Sequence, residues 1–332
     1  ENVRIWEVFH EMSLRHPGWI YGTMPYGKDF RYTMFFGVPS QRYWSKPAKP
    51  YFVQRMNTLR GYLINEQQNL VEVKSAWIET YGKDSWEKSY NKSLEKNADI
   101  IRLIRLRKFD YVINCAGIIK QKKQINKKVY SVNKNLPLKI SKLAERNSFK
   151  FIHFSTDCVF NGKDGNYLET QKPNAKDLYG VSKAEGEPPI LNKQTITFRT
   201  SFIGHEIYGN YSLLDWFLNT KENINGYSKC YYNGLTTLEI AKFIKKNITH
   251  NLFTNGLFHL TGKKISKYYL IKKINIIYNN KKKISSISKP KINRTLNSNK
   301  LKKYFKYKTK SWDLLLKDLN KDYKNNKNLY VN

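Results

Sequence analysis

Two short apolar runs flanking a stretch of helical pattern constrain this chain more than any other feature. Tyr111 to Cys115 and Phe151 to Phe154 read as strands buried on both faces. Between them, Val129 to Asn147 places Val132, Leu136, Ile140, Leu143 and Ala144 at helical spacing. Pro137 falls inside that stretch and either kinks the helix or delays its start. Strand, helix and strand in this order call for a parallel pair joined by a right-handed crossover. Leu178 to Glu187 reads as a further helix, ended by Pro188-Pro189, and Thr195 to Arg199 extends the same sheet. The fold class is therefore α/β, with a Rossmann-like parallel sheet.

Ser155, Thr156 and Asp157 sit at the C-terminal edge of the second strand, the edge at which open α/β sheets bind ligands. Asn161-Gly162 and Asp164-Gly165 mark turns in the loop that follows. Tyr179 and Lys183 are four residues apart on the next helix, so they share a face. A phenol titrates near pH ~10 when unperturbed, and a nearby ammonium lowers that value. Such a phenol can protonate a ketone oxygen as hydride reaches its carbon. The Thr156 hydroxyl can hold the same oxygen. Tyr-x-x-x-Lys is common by chance in a chain rich in both residues; the order strand, Ser-Thr-Asp, glycine-bearing loop, Tyr-Gly-Val-Ser-Lys is far more specific.

The stretches Asp110-Tyr-Val-Ile-Asn-Cys-Ala-Gly117, Phe151-Ile-His-Phe-Ser-Thr-Asp-Cys-Val-Phe-Asn-Gly162, Tyr179-Gly-Val-Ser-Lys183 and Arg199-Thr-Ser-Phe-Ile-Gly204 resemble the dTDP-4-dehydrorhamnose reductase family. That family lies within the extended short-chain dehydrogenase/reductases. The likeness runs from about Asn97 to Trp312, and Gly234 to Ala241, Gly256 to Leu260, Ser266 to Tyr268 and Asn293 to Leu296 share in it. It implies reduction of a nucleotide-linked 4-keto sugar by NADP or NAD. Carried over by position, Thr156 polarises the ketone, Tyr179 donates the proton, and Lys183 binds the nicotinamide ribose and lowers the tyrosine pKa. Cys115, Ala116, Gly117, Thr200 and Ser201 would lie along the cofactor. Asp157, Val159 and Phe160 would face the sugar. Arg294 would meet the nucleotide diphosphate, where a guanidinium fork matches phosphate oxygens; the alternative is a solvated surface arginine. Asn133 would support Lys183 through water.

The front of the chain departs from that pattern. The family opens with a strand and Gly-x-x-Gly-x-x-Gly, whose amides and helix N-terminus hold the cofactor pyrophosphate. No such cluster precedes Asp110; Gly18, Gly22, Gly27 and Gly37 are scattered among prolines and aromatics. Without that cradle cofactor affinity should be reduced, and the choice between NAD and NADP has no residue to rest on. Three regions follow: an unassigned aromatic-rich segment at 1–96, the Rossmann-like part at 97–204, apparently without its glycine-loop strand, and a smaller α/β substrate-binding part at 205–332. Within the first, 57–81 has helical spacing; within the second, 99–107 reads as a short helix. In the third, 236–247, 266–278 and a stretch beginning after Ser311 and running through Leu319 read as helices, 257–260 as a strand, and the tail from Lys321 as frayed.

The formal net charge of +34 invites a nucleic-acid reading. The lysines, however, run through the whole second half among Asn, Ile and Tyr, as an AT-rich coding sequence would place them. No nucleic-acid-binding motif accompanies them, so the expected anion is a nucleotide sugar. Cys115, Cys158 and Cys230 show neither disulfide nor zinc spacing; no metal is expected. The absence of a leader or a bilayer-length apolar run points to a cytoplasmic protein. His153 reads as a core histidine and His205 as a loop histidine without a role. Alternatives to a reductase are a sugar-nucleotide epimerase or dehydratase, a non-catalytic nucleotide-sugar-binding or regulatory homologue acting on a partner protein or as a homo-oligomer, and a truncated or fused reductase fragment.

Overall fold

A computed structural model of the chain describes residues 20–26, 29–36, 101, 104, 109–119, 129–206 and 212–327. The helix expected at 57–81, the tryptophans of the first segment and most of the helix expected at 99–107 lie outside them. The first two strands, β1 (Ile20–Tyr26) and β2 (Asp29–Phe36), pair antiparallel, Tyr26 opposite Asp29. β2 then runs parallel to β3 (Tyr111–Asn114), with Phe36 beside Asn114. These two strands extend the sheet on the side where no strand was anticipated from the sequence.

The predicted crossover is present. β3 pairs in parallel with β4 (Lys150–Thr156), Tyr111 opposite Lys150 and Asn114 opposite His153. Between them Val129 and Tyr130 are helical, Ser131–Asn135 form a π-helical turn, and α1 proper spans Leu136–Asn147. Pro137 thus lies at the second position of α1, directly after the π-helical turn, where the widened helix accommodates a residue without an N–H. α1 ends at Ser148, which adopts the left-handed conformation. Val132, Leu136, Ile140 and Ala144, the expected apolar face, are buried.

α2 (Leu178–Glu185), β5 (Thr195–Thr200) and β6 (Phe202–Ile203) follow, then α3 (Leu213–Asn219), β7 (Ile224–Tyr227), β8 (Cys230–Tyr232), β9 (Leu235–Thr236) and α4 (Thr237–Thr249). The chain continues through β10 (Gly256–His259), β11 (Ile265–Ser266), α5 (Lys267–Ile277), β12 (Ile284–Ile287), β13 (Ile292–Asn293), α6 (Asn299–Phe305) and α7 (Trp312–Asn325). The main sheet has the order β1-β2-β3-β4-β5-β10. β11-β8-β13 form a second, three-stranded sheet, and β7 pairs with β12 and β6 with β9, both in parallel. Ser311 caps α7 through its hydroxyl, as expected, but the helix continues to Asn325 into the tail read as frayed. Leu315, Leu316 and Leu319 bury one face of α7 and hold it. Among the described residues no helix is long and apolar enough to cross a membrane.

Two units emerge, and they interleave along the chain, whereas the regions expected from the sequence were consecutive. The first gathers Glu1–His153, Glu185–Ile196 and Lys245–Gly256; the second gathers Phe154–Ala184, Thr197–Ile244 and Leu257–Asn332. The core of the second includes an aromatic group in which Phe198 and Phe305 flank Phe243 and Phe258 at 5.3–6.3 Å between centroids.

Candidate active site

Thr156, Tyr179 and Lys183 all belong to the second unit, and local structure explains how they meet. β4 ends at Thr156, and Asp157–Val159 turn as a single 3-10 helix. Thr156 caps that turn: its hydroxyl accepts from the Cys158 amide at 3.1 Å and donates to Asp157 Oδ1 at 3.1 Å. The loop before α2 is pinned to the same turn, since the amides of Asn174 and Ala175 both donate to the Val159 carbonyl. Asp177 then caps α2, accepting from the Gly180 amide at 3.0 Å.

Gly180 sets the distance between α2 and the turn. A Cβ there would stand 2.4 Å from the Cys158 carbonyl oxygen and 2.5 Å from Ala175 Cβ, so only glycine allows this approach. The approach carries the neighbouring Tyr179 to Thr156, whose side chain hydrogen-bonds the phenol. Burial of the phenol oxygen pushes its pKa well above the ordinary tyrosine value, the nearby Cys158 and Asp157 add to the rise, and the Thr156 hydrogen bond opposes it. The lowering expected from Lys183 is not among the main influences on the phenol: desolvation dominates, the Thr156 hydrogen bond opposes it, and the phenol stays protonated. Lys183 is buried and donates to the Phe154 carbonyl at 2.7 Å, which fixes its ammonium against β4.

Asp157 is buried, and burial raises its carboxyl pKa against the opposing pull of Arg294, of the Thr156 and Cys158 hydrogen bonds, and of Lys267. Arg294 is half-buried rather than a solvated surface residue, and its Nε donates to the Phe160 carbonyl at 3.2 Å. Val159 and Phe160, expected to face a sugar, instead have fully buried side chains that pack with Tyr167 and Leu296. Phe160 stacks on Tyr167 at 4.1 Å, and the Arg199 guanidinium carbon lies 5.1 Å from the Phe160 ring centroid. Their apolar bulk is used in the core because the turn points them inward, which leaves Asp157 as the polar group of that stretch. Thr200 ends β5 and Ser201 follows it in the same unit; Thr200 is buried, and the Ser201 carbonyl accepts from the Leu235 amide at 2.9 Å.

Cys115, Ala116 and Gly117 belong to the first unit, in the loop leaving β3. The Asn114 side chain accepts from the Ala116 amide at 3.0 Å. Asn133 grips Ile118 at both ends, accepting from its amide at 2.8 Å and donating to its carbonyl at 3.0 Å. Both ends of that side-chain amide thus hold the loop. His153 is fully buried and hydrogen-bonded to Asn114, as a core histidine should be. His205 corrects its sequence reading: it is buried, bonded to Asp215 and to the Tyr278 hydroxyl at 2.9 Å each, and stacked on Tyr323 at 3.9 Å. Nothing local in Ile203-Gly204-His205-Glu206 marks it, since its partners lie as far away as Tyr323. Tyr232, also missed, is buried beside Trp312.

For the reacting end of a nicotinamide cofactor, the second unit offers a phenol kept protonated by burial and an anchored ammonium. At the pyrophosphate end the sequence lacks the glycine cluster before Asp110.

The model of the RmlD substrate binding domain matches residues 78–325. A dTDP-4-dehydrorhamnose reductase from Aggregatibacter actinomycetemcomitans is 31% identical over 153 residues, which is 42% of this chain and 50% of that protein. The match thus spans half the length of that relative. Among solved structures, dTDP-4-dehydrorhamnose reductase from Bacillus anthracis in complex with NADP superposes with a TM-score of 0.61 at 20% identity, covering 69% of this chain and 86% of that one. A hypothetical dTDP-4-dehydrorhamnose reductase from Sulfolobus tokodaii gives 0.57 at 25% identity, covering 66% and 83%. The shared architecture is the Rossmann-like α/β fold.

Proposed function

The chain belongs to the RmlD substrate binding domain family, and from that membership we propose that it reduces the ketone of a nucleotide-linked 4-keto sugar, as the name of its bacterial relative describes. The observation that carries this reading is the contact of the Tyr179 phenol with Thr156 at the end of β4, with Lys183 anchored one helical turn away. A bound NADPH or NADH would supply the hydride. The protein supplies the rest. The Thr156 hydroxyl, rotated from Asp157, donates to the ketone oxygen and polarises it. The phenol of Tyr179, held protonated by burial, gives its proton to the oxygen as negative charge develops there. Lys183 then faces a phenolate on its own helix face and offsets that charge, so its effect on Tyr179 belongs to the step after proton transfer rather than to the resting state. Cys115, Ala116, Gly117, Thr200 and Ser201 are the residues proposed to border the cofactor, and Asp157 and Arg294 those proposed to meet the nucleotide sugar.

The missing glycine cluster favours a second reading, a family member that binds a nucleotide sugar without turning it over. Titration of the purified chain with NADPH and with NADH, followed by cofactor fluorescence, separates the two. Saturable binding of either supports the reductase. No binding at millimolar cofactor leaves a nucleotide-sugar-binding homologue and removes the enzyme.

A further inference from the structure

Tyr232 is nine-tenths buried, with 9% of its surface exposed, yet its hydroxyl has no hydrogen-bond partner among the described residues. A buried hydroxyl left unpaired loses its hydrogen bonds to water with nothing in return, so a position that keeps one calls for a reason. The ring is also held in place. It packs on Trp312 at 5.5 Å, the indole N–H of which is itself tied to the Lys263 carbonyl at 2.7 Å. A Cβ on Gly234 would come within 3.0 Å of the ring edge. Ile265 on β11 stands opposite Tyr232.

The strand that carries this phenol is tied to the turn that bears Asp157. β13 runs beside β8, with Asn293 next to Tyr231, and the Arg294 amide donates to the Tyr231 carbonyl at 3.1 Å. The Arg294 guanidinium then reaches the Phe160 carbonyl. One residue therefore ties the strand of Tyr232 to the turn that begins at Asp157. Burial first, and then the charge of Asp157, keep the Tyr232 phenol neutral and so able to donate.

We propose that Tyr232 is a substrate-binding residue whose phenol donates a hydrogen bond to a sugar hydroxyl that lies on the Asp157 side of the site. The donor set selects this chemistry. Tyr232 offers an O–H and Asp157 offers acceptor oxygens, and a hydroxylated ring both accepts and donates. A phosphate accepts only, and would meet the Asp157 carboxylate as a like charge. The inference rests on the nucleotide-sugar reading above, and it assigns the sugar, rather than the nucleotide, to this wall of unit two.

Tyr232→Phe removes the hydroxyl and keeps the ring. Isothermal titration of the wild type and the variant with dTDP-rhamnose and with dTDP alone tests the assignment, with a thermal melt of each protein. The expected result is about 3- to 10-fold weaker binding of dTDP-rhamnose, unchanged binding of dTDP, and a melting temperature equal to or above that of the wild type. A wild type that binds dTDP-rhamnose and a variant that binds it equally well overturn the role of Tyr232 while leaving the nucleotide-sugar reading intact. Equal weakening for both probes places the phenol on the nucleotide and overturns the sugar assignment. A lowered melting temperature shows that the hydroxyl serves the fold and overturns it as well. A wild type that binds neither probe overturns both readings.

Discussion

At Tyr179, burial and hydrogen bonding pull in opposite directions, and burial wins. That balance decides what the residue can do. A phenol kept protonated is a proton donor at neutral pH, not a base, and suits reduction of a ketone. Tyr179→Phe should lower kcat by about 100- to 10,000-fold, while the affinity for dTDP-rhamnose stays that of the wild type. Because the raised value puts deprotonation above the ordinary tyrosine range of about 10, activity should show no alkaline loss from this group below that pH. The role of Tyr179 as a candidate was readable from its spacing to Lys183 and from Ser155-Thr156-Asp157 upstream. The direction of its titration was not, because desolvation depends on what the fold stacks above the ring. For the same reason Tyr232 was invisible: an unpaired hydroxyl is a property of its tertiary surroundings, and Cys230-Tyr-Tyr232 carries no mark of it.

The elements that carry the site are those with the clearest local signals. β3 and β4 declare themselves as apolar runs, and α2 begins at an aspartate cap and stops before two prolines. Gly180 is where element packing and chemistry join. Gly180→Ala would force α2 away from the Cys158 carbonyl, costing about 1–3 kcal/mol of stability and moving Tyr179 off Thr156. A thermal melt should show the loss, and kcat should fall more than the nucleotide-sugar affinity. Retained kcat in this variant would mean that the helix can shift without disturbing the phenol. β1, β2 and β7 were not legible. β7 reads Ile-Asn-Gly-Tyr, a run too short and too polar to stand out, and it is settled by its pairing with β12 fifty-seven residues beyond its last residue. Local pattern cannot supply a partner that distant. The π-helical turn before α1 was likewise hidden, although Pro137 warned that the regular helix would start late.

At the scale of the molecule, the sequence suggested consecutive regions, whereas the structure forms two units that exchange the chain five times. No composition shift marks those crossings. The second unit also contains its own acid-sensitive point. His259 is buried beside Arg199 at 3.4 Å, bonded to the Asn297 carbonyl at 3.0 Å, and near Glu169 and Lys300. Burial first, and then Arg199, hold its pKa down to about 3. A histidine depressed in this way takes up its proton more readily when unfolded. Its contribution is full above the unfolded value of about 6.5 and is lost as pH falls toward the folded one, by at most about 1.4 kcal/mol per pH unit. Denaturant midpoints measured across that range should fall with acid in the wild type and fall less in His259→Gln. The net charge of +34 adds a further expectation, that binding of an anionic nucleotide sugar weakens as salt is raised.

The proposed function makes the second unit a ketone-reducing centre. The most direct measurement is the oxidation of NADPH, and of NADH, by the purified chain in the presence of dTDP-4-dehydrorhamnose, with Tyr179→Phe run alongside. The account predicts cofactor oxidation that requires the sugar, yields dTDP-rhamnose, and disappears in the variant. Turnover that survives loss of the Tyr179 hydroxyl, or no turnover by a wild type that binds both cofactor and sugar, would contradict it.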